Sequence, residues 1–443
     1  MKKREFLKKS VALASLATIP SPLWSIKRSN IRLAQIGVGG MGAQDLKFMS
    51  SHPSISVVAL CDVDSLALDL AKTIYPNARI YKDYRKMLSD MKNEIDAVQV
   101  STPDHTHAPA SIMAMNLNMN VYCQKPLTHK PSESRLMIKI AEDKNLITQM
   151  GIQIHSFYEY RLATILIKSG IIGKVNTVRA WTNSCSGYDG PIPKGEDPIP
   201  DSLDWNLWLG TSPKRAYKSD FYHPIEWRKV IDFGCGTLGD MGVHIFDTPY
   251  NALELDAPLT VENKCREPNN FGFPTKNTVT YTFSGTKYTS DKLKWVWTDG
   301  KLPVINDDLT LPNQDNLPSQ GSIFIGEKGR LLLPHFMQEP RLIVDGQYLK
   351  IDLSKYPEAL KLKKSSGDYN IDGKIHYHEF VNACLGQGEC SAPFSYSGRL
   401  TEVILLGVIA GRFPNKKLHW NKEKSQFVES EANKFLDSEY RIF

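Results

Sequence analysis

The chain has 443 residues, of which 41% are hydrophobic, with 54 Lys and Arg against 48 Asp and Glu. Residues 1–28 hold seven of these basic residues and one acid, which leaves 47 basic and 47 acidic residues in the remainder. A body without net charge gives no electrostatic support for nucleic acid or an anionic membrane as a partner. About 415 residues exceed what one hydrophobic core holds, which predicts two domains.

The first 28 residues resemble an export signal and are set apart from the fold. Basic residues cluster in the first nine positions, and an apolar stretch, Val11–Ile19, follows before Pro20. That stretch is too short to span a bilayer as a helix, so no stable membrane anchor is expected. Lys3–Lys8 is similar to a twin-arginine signal with lysine in the first arginine position, which predicts a periplasmic protein. A cytoplasmic location remains the alternative.

The segment Ile31–Gly42 predicts a strand, a glycine-rich turn and the start of a helix. Apolar residues run into a G-x-G-x-x-G pattern, and Met41–Met49 is compatible with a helix. The first glycine permits a tight turn, the second lets backbone approach a pyrophosphate, and the third lets helix and strand pack closely. Free N–H groups at the helix N-terminus favour phosphate. The predicted dinucleotide contacts are Gly37, Gly39, Gly40, Met41 and Gly42.

A second apolar run, Ile55–Cys61, ends in Asp62, which lies 20 residues beyond Gly42. A carboxylate at this place accepts hydrogen bonds from the adenosine ribose hydroxyls and repels a 2′-phosphate. The sequence therefore predicts NAD as the cofactor in preference to NADP.

Strand and helix signals then alternate as far as residue 155, which predicts an NAD-binding Rossmann domain over residues 29–155, with a doubly wound parallel sheet. The predicted helices are Ser65–Ile74, His107–Met115 and Pro131–Lys144, and the predicted strands are Ile95–Ser101, Val121–Gln124 and Leu146–Gln153.

The residue composition of the chain changes after a predicted helix at Phe157–Gly170. Asn183–Gly236 is rich in Gly, Pro and aromatic residues and predicts a long ordered loop region. Later segments predict strands at Asn277–Ser284, Lys292–Thr298, Gly321–Gly326 and Arg330–Leu333 and helices near His378–Leu385 and Leu400–Ala410. We therefore expect residues 156–443 to form a C-terminal α+β domain, substrate-binding and catalytic, with a large, mostly antiparallel sheet.

Three polar clusters are candidates for chemistry. Ser101–His107 and Gln124–Pro126 each follow a predicted strand, at the place where ligands bind in open α/β sheets. In Gly239–Asp247, a helix would place Asp240 and His244 on one face, where a carboxylate and an imidazole can address one substrate.

In these residues the chain resembles the Gfo/Idh/MocA family of NAD(P)-dependent sugar oxidoreductases, over nearly everything after residue 30. The matching stretches are the glycine pattern, Thr102–His107, Lys125–Pro126, Asp240 with His244, Phe324–Gly329 and His378–Cys384. The resemblance implies that Lys125, Asp240 and His244 are catalytic, with the lysine binding or protonating the reacting hydroxyl. It also suggests a cis peptide bond between Lys125 and Pro126.

One position departs from the family pattern. The glutamate of its E-K-P motif is Gln124 here, which is similar in shape but carries no charge. Loss of that carboxylate should make protonated Lys125 less stable and ease its use as a neutral base.

Further residues are predicted to surround the cofactor and the substrate. The predicted cofactor contacts in the second and third motifs are Thr102, Pro103, His105, His107, Gln124 and Lys125. The predicted substrate contacts are His155, Tyr222, His223, Trp227 and Arg228. Trp205, Trp208 and Trp227 either stack on sugar rings or pack a core, and core packing is preferred.

These features predict an NAD-dependent oxidoreductase that acts on a secondary hydroxyl of a sugar, glycoside or polyol. Lys125 and His244 would move the hydroxyl proton while Asp240 orients His244. An alternative is a redox-neutral glycosidase, in which oxidation, elimination, hydration and re-reduction leave NAD unchanged. A non-catalytic sugar or dinucleotide sensor is the alternative from another class.

Metal and disulfide chemistry have little support in the sequence. The seven cysteines contain no C-x-x-C pair, and His105 and His107 lack further ligands at convincing spacing, so no metal site is expected. Cys384 and Cys390 flank two glycines and are a candidate pair in an oxidising compartment. The expected partners are a carbohydrate substrate and further copies of the chain, joined through the C-terminal sheet.

Overall fold

A computed structural model describes residues 29–443, so the predicted leader at residues 1–28 lies outside the described part of the chain. Six parallel strands form the first sheet, in the order β3-β2-β1-β4-β5-β6. These strands are β1 (Ile31–Ile36), β2 (Ile55–Cys61), β3 (Arg79–Tyr81), β4 (Ala97–Val100), β5 (Asn120–Gln124) and β6 (Thr148–Gly151). The order reverses between β1 and β4, which opens a crevice at the carboxyl ends of these strands, where such sheets bind ligands.

Helices connect the strands of this sheet and extend into the rest of the chain. In chain order they are α1 (Met41–Ser50), α2 (Ser65–Ile74), α3 (Tyr84–Asp90), α4 (Asp104–Asn116), α5 (Pro131–Lys144), α6 (Tyr158–Lys168), α7 (Trp205–Leu209), α8 (Val243–Ala252), α9 (Pro357–Leu360), α10 (Tyr369–Asp372), α11 (Lys374–Cys384) and α12 (Phe394–Ala410). Local sequence sets several ends: Asp64 caps α2 by accepting from the Leu66 amide, and α5 begins with Pro131. The residues of β4 are all buried, as expected for a parallel strand covered on both faces.

The second sheet has ten strands in the order β14-β13-β12-β11-β7-β10-β9-β8-β15-β16. Only the pairing of β7 with β10 is parallel. The strands are β7 (Val175–Thr182), β8 (Thr260–Lys264), β9 (Asn277–Ser284), β10 (Thr289–Asp299), β11 (Gln320–Gly326), β12 (Gly329–Pro334), β13 (Arg341–Val344), β14 (Gln347–Leu349), β15 (Leu418–Asn421) and β16 (Gln426–Phe427). The predicted α/β fold class, a parallel sheet followed by a mostly antiparallel one, is confirmed.

A continuous hydrophobic core joins the two sheets. It runs from the first sheet through buried residues of α5, α6, α8 and α12 to one face of the second sheet, where Trp295 and Trp297 are fully buried. In addition, α11 packs on the dinucleotide-type helix α1, with the rings of Phe48 and Tyr377 5.5 Å apart. The second part of the chain therefore buttresses the first at the helix that follows the glycine-rich loop.

The predicted strand Leu146–Gln153 is too long. The strand β6 ends at Gly151, which pairs with Gln124, the last residue of β5, so no neighbouring strand continues beyond it. The chain then enters a 3-10 turn at Gln153–Ser156.

The tryptophan-rich loop region forms a core of its own. Trp205 and Trp208 stack with ring centroids 4.7 Å apart and are 7% and 4% exposed, and Trp227 is 7% exposed. The preference for core packing over sugar stacking is confirmed. A short helix, α7, and a 3-10 turn at Glu226–Lys229 give this region its order.

All seven cysteines are free thiols, so the candidate pair Cys384 and Cys390 is not bridged in this structure. Within residues 29–443, no helix combines the length and the apolar character needed to cross a membrane. The predicted assembly of copies through the second sheet remains a prediction.

Candidate active site

The glycine-rich loop follows β1 and leaves no room for side chains at two positions. A Cβ on Gly37, whose φ is +86°, would lie 2.3 Å from the Ser101 carbonyl oxygen, and one on Gly42 would lie 2.3 Å from the Gly37 carbonyl oxygen. Gly39, by contrast, has only Ala67 nearby, at 3.4 Å. Gly37 and Gly42 therefore allow the close backbone contacts of this turn, whereas Gly39 leaves the backbone of the loop accessible.

The start of α1 suits an anionic group. The first turn contains no acidic residue, and no side chain caps its amides. Gly39, Gly40 and Met41 are exposed there. Exposed amides at a helix N-terminus and an accessible loop backbone are what a pyrophosphate needs, so the residues present fit a dinucleotide.

Asp62 stands at the end of β2, beside this loop. Its Oδ2 accepts from the Val38 amide at 2.8 Å, and its Oδ1 accepts from the Asp64 amide at 3.0 Å. Burial raises the pKa of its carboxyl group, and the two amides oppose that effect. Asp62 thus holds the loop in place, and its contact with the ribose remains a prediction.

Gln124, the last residue of β5, has a buried amide. Its Nε2 donates to both oxygens of Asp45, at 2.9 and 3.0 Å, and its Oε1 accepts from the Lys125 amide. Asp45 lies in α1 and also accepts from Ser101 and from the Tyr377 hydroxyl, each at 2.6 Å. Burial raises the pKa of Asp45 to about 6 despite these donors. A buried carboxylate therefore lies next to Gln124, on a helix that the sequence analysis did not connect with this motif.

Lys125 directly follows β5, and its peptide bond to Pro126 is cis, as the resemblance suggests. Its Nζ donates to Oδ1 of Asp240 at 2.7 Å and to the Asp240 carbonyl oxygen at 3.1 Å. Burial lowers the pKa of the Lys125 amine, and Asp240 offsets part of this effect. Burial also opposes ionisation of Asp240, but Lys125 and Arg228 bring its pKa well below the usual range. The two groups form an ion pair inside the site.

Asp240 and His244 are not paired in the predicted way. Asp240 lies in a π-helical turn, Leu238–Gly242, rather than in α8, and its Oδ2 accepts from the Ser186 hydroxyl at 3.1 Å. A π-turn has wider spacing than an α-helix, so residues four apart do not lie above one another there. Asp240 thus bonds Lys125 and Ser186, and the expected orientation of His244 by Asp240 is wrong. Nδ1 of His244 is buried without a hydrogen-bond partner within residues 29–443.

Arg228 joins the ion pair, which places one predicted substrate contact beside Lys125. Its Nη1 lies 3.4 Å from Oδ1 of Asp240 and 3.5 Å from Oδ1 of Asp104. The guanidinium also stacks on Trp227, with 4.4 Å to the ring centroid. Asp104 is the first residue of α4 and is 1% exposed. In the sequence, Asp104 belongs to the polar cluster Ser101–His107, with no predicted role of its own.

His335 and Tyr160 are site residues that the sequence analysis missed. The His335 ring lies 6.0 Å from that of His244, and its Nδ1 is hydrogen-bonded to the Tyr160 hydroxyl. Burial lowers the pKa of His335 to about 4, and the nearby charge of Lys125 adds to this effect. His335 follows β12 directly and is far from the other motifs in sequence, so no local pattern indicates it.

The two histidines of the Thr102–His107 motif bind backbone carbonyl oxygens and do not face a cavity. His107 places Nδ1 and Nε2 each 2.8 Å from a carbonyl oxygen, those of Pro126 and Thr102. His105 similarly lies between the carbonyl oxygens of Phe233 and Trp208. Both are buried, and burial lowers the pKa of each to about 4. The cofactor contacts predicted for His105, His107, Thr102 and Pro103 remain predictions.

The other predicted substrate contacts are dispersed. His155 has Nδ1 2.9 Å from both oxygens of Asp247, one turn beyond His244 on α8. His223 has Nε2 3.0 Å from Oδ2 of Asp64, close to the predicted ribose site. Tyr222 is 2% exposed and packs in the tryptophan core. Of these five predicted substrate contacts, only Arg228 lies directly against the Lys125–Asp240 pair. The Trp227 ring stacks on its guanidinium.

Fold and site together define a two-domain protein with a dinucleotide-binding Rossmann domain. The chain matches two family models: Gfo/Idh/MocA "oxidoreductase family, NAD-binding Rossmann fold" over residues 31–152, and the family's "C-terminal alpha/beta domain" over residues 165–289. The chain therefore belongs to the Gfo/Idh/MocA oxidoreductase family, and NAD is the cofactor of its Rossmann domain.

Characterised relatives are similar over part of their length. A "glycosyl hydrolase family 109 protein" of Stenotrophomonas maltophilia is 37% identical over 135 residues, covering 28% of this chain and 29% of the relative. A levoglucosan dehydrogenase of Pseudarthrobacter phenanthrenivorans is 26% identical over 230 residues, covering 49% and 50%. The matches thus span half or less of these relatives.

Solved structures share the fold over almost the whole chain. A levoglucosan dehydrogenase in complex with NADH and levoglucosan has a TM-score of 0.60 at 18% identity, covering 88% of this chain and 99% of that one. At this level of identity the likeness concerns the fold alone.

Proposed function

We propose that this protein is an NAD-dependent oxidoreductase that acts on a secondary hydroxyl of a sugar, glycoside or polyol. The observation that carries the proposal is the buried Lys125 amine, 2.7 Å from Asp240, at the carboxyl end of a strand in the dinucleotide-binding sheet. A buried amine in a crevice with a fixed carboxylate partner is a candidate acid–base group. NAD, when bound, supplies the acceptor for the hydride that leaves the substrate carbon.

Lys125 takes the hydroxyl proton in this proposal. Burial lowers the pKa of its amine, which makes the neutral form, the one that accepts a proton, easier to reach. Asp240 fixes the amine by accepting two hydrogen bonds from it, one at its carboxylate and one at its carbonyl oxygen. Burial lowers the pKa of His244 well below the usual range, which favours the neutral imidazole, and its Nδ1 has no hydrogen-bond partner within residues 29–443.

Replacement of Lys125 by methionine tests the proposal. Lys125→Met keeps the length of the side chain and removes the base, so turnover should fall by about two to four orders of magnitude while NAD binding stays nearly intact. Reduced nicotinamide is followed by its absorbance across a sugar and polyol panel, and NAD binding by calorimetry. Lys139→Met, which removes an exposed lysine on α5, is the matched control. Normal turnover by Lys125→Met would contradict the role of the lysine.

A redox-neutral glycosidase is the second candidate, supported by the glycosyl hydrolase relative at 37% identity. Oxidation of a ring hydroxyl acidifies the neighbouring C–H bond, which permits elimination of the aglycone, addition of water and return of the hydride. Purified protein incubated with aryl glycosides and no added NAD should then release aglycone and take up deuterium from water at the acidified carbon. A ketosugar that accumulates in step with reduced cofactor supports the simple dehydrogenase instead. Tight binding without either reaction would favour a sensor.

A further inference from the structure

We infer that this site selects an uncharged sugar or polyol over a sugar acid, and that Asp104 determines the preference by compensating the charge of Arg228. The inference rests on the proposed function, because it concerns the substrate of the same site.

The charges around Lys125 balance within the chain itself. Two cations, Lys125 and Arg228, face two carboxylates, Asp240 and Asp104. Oδ1 of Asp240 lies 2.7 Å from Nζ of Lys125 and 3.4 Å from Nη1 of Arg228, so one carboxylate serves both cations. Asp104 supplies the second negative charge, with its Oδ1 3.5 Å from the same guanidinium nitrogen. The cluster of four groups is therefore neutral before any substrate arrives.

Asp104 acts through Arg228 and not by touching the substrate. It is 1% exposed, and its Oδ1 lies 3.5 Å from Nη1 of Arg228. The Arg228 side chain, in contrast, is 26% exposed, so the arginine presents part of its guanidinium outward while Nη1 stays buried against the two carboxylates. Asp104 is thus a positioning and charge-compensating residue placed behind Arg228. Its position at the N-terminus of α4 stabilises its negative charge.

The histidines next to this cluster, His244 and His335, add no charge to this balance. His244 and His335 are neutral, because burial lowers the pKa of each. Arg161, which donates to the His155 carbonyl oxygen, is paired with Glu379 at 2.6 Å. A carboxylate on the substrate would therefore enter a neutral, partly buried cluster and leave it with net negative charge, which is costly at low dielectric. Hydroxyl groups carry no such cost.

Matched sugars test the inference with the whole protein loaded with NADH. We would measure the affinities of three pairs that differ only at C6: methyl glucoside and methyl glucuronide, galactose and galacturonate, and mannose and mannuronate. The wild-type protein should bind the uncharged member of a pair about tenfold more tightly or better, since an unpaired buried charge costs more than a hydroxyl. In Asp104→Asn the ratio of affinities should shift about tenfold toward the acid, because Arg228 then lacks its own carboxylate.

Two further variants separate this effect from a general change in charge. Asp104→Asn/Arg228→Gln removes both charges and should return the ratio to that of the wild type. Asp308→Asn, which removes a carboxylate 3.8 Å from Arg179 in another ion pair, should leave the ratio unchanged. The wild-type ratio alone tests the inference if Asp104→Asn fails to fold.

The outcomes distinguish this inference from the proposed function. Equal or tighter binding of the acids by the wild type, no binding of any uncharged member, or an unchanged ratio in Asp104→Asn would overturn the inference. Reduction of NAD by the acids would leave the proposed function intact and overturn the inference. Selective binding of uncharged sugars without any reduction of NAD would support the inference and contradict the proposed function.

Discussion

At the scale of single residues, the neighbourhood of Lys125 differs from the sequence expectation. Loss of the motif's glutamate at position 124 predicts that the charged form of the Lys125 amine is less stable. Burial does lower the pKa of this amine. Asp240 nevertheless supplies a carboxylate at 2.7 Å, and Asp45 lies against the Gln124 amide. The carboxylates near Lys125 thus come from other elements, and Gln124 serves as a donor to Asp45.

The contact between Gln124 and Asp45 predicts an incompatibility. Gln124→Glu, which restores the residue of the family motif, would place a second carboxylate about 3 Å from Asp45 with no room to move apart. Because one of two such buried groups must remain protonated, we expect a loss of about 2–3 kcal/mol in the free energy of unfolding at neutral pH. Urea unfolding measures it.

A compensating variant gives the control. In Asp45→Asn/Gln124→Glu the amide and the carboxylate exchange places, so the hydrogen bond is kept with its direction reversed. The double variant should recover most of the stability that Gln124→Glu loses. Equal stability of Gln124→Glu and the double variant would refute this account of the pair.

At the scale of elements, the glycine-rich loop separates folding from binding. Gly37→Ala would force a Cβ to within 2.3 Å of the Ser101 carbonyl oxygen at a backbone angle that favours glycine, whereas Gly39→Ala meets only Ala67 at 3.4 Å. We therefore expect Gly37→Ala to cost about 2 kcal/mol or more of unfolding free energy. Gly39→Ala should keep its stability and lose NAD affinity, because its Cβ occupies the approach to the loop backbone.

Thermal unfolding without ligand and calorimetry with NAD measure the two effects separately. Each variant thus serves as the control for the other. A Gly39→Ala protein that binds NAD as well as the wild type would remove the second glycine from the cofactor site.

The π-turn at Leu238–Gly242 is the second element that decides the site. A regular helix would align Asp240 with His244, but the turn directs Asp240 to Lys125 and Ser186. Single-turn π-helices are frequent at functional sites because they redirect side chains within a helix. Here the consequence is that carboxylate and imidazole face the site independently.

At the scale of the whole molecule, buried titratable groups predict sensitivity to acid. Burial lowers the pKa of six imidazoles far below the usual value, to about 4 in four of them: His105, His107, His129, His244, His335 and His376. Burial raises the pKa of three carboxyl groups most strongly, to about 6 or 7: Asp45, Asp104 and Asp299.

The sign follows from where protons bind. Between about pH 6.5 and 4 the unfolded chain protonates these histidines and the folded chain does not, so their burial makes the folded state less stable as the pH falls. The three carboxyl groups act in the opposite direction, because the folded state holds their protons up to a higher pH. The imidazoles are twice as numerous as these carboxyl groups, so the free energy of unfolding should fall as the pH falls through this range.

Urea unfolding at pH 8, 7, 6 and 5 measures this dependence. The fall in stability should be steepest below about pH 6.5, where the histidines of the unfolded chain take up protons. Constant stability down to pH 5 would contradict the prediction.

The sequence by itself determined the parts of this protein that local pattern encodes. The strand, glycine turn, helix and acid spacing at Ile31–Asp62 indicated a Rossmann domain, and the alternating segments after it indicated the fold class. These features are readable because each depends on neighbours within a few residues: a helix start, a tight turn or a buried strand leaves its signal in its own segment. Lys125 belongs to a polar cluster at a predicted strand end, and the family resemblance gave it its predicted catalytic role.

Only the tertiary structure decided how the side chains meet. Asp45, Asp104 and His335 come from three elements far apart in sequence, and no local spacing connects them with Lys125. The π-turn and the hydrogen bonds of His107 likewise depend on packing around them rather than on their own segment. Pairing of charges across a crevice is a property of distances in space, and burial, which sets the pKa values there, is created by the fold as a whole.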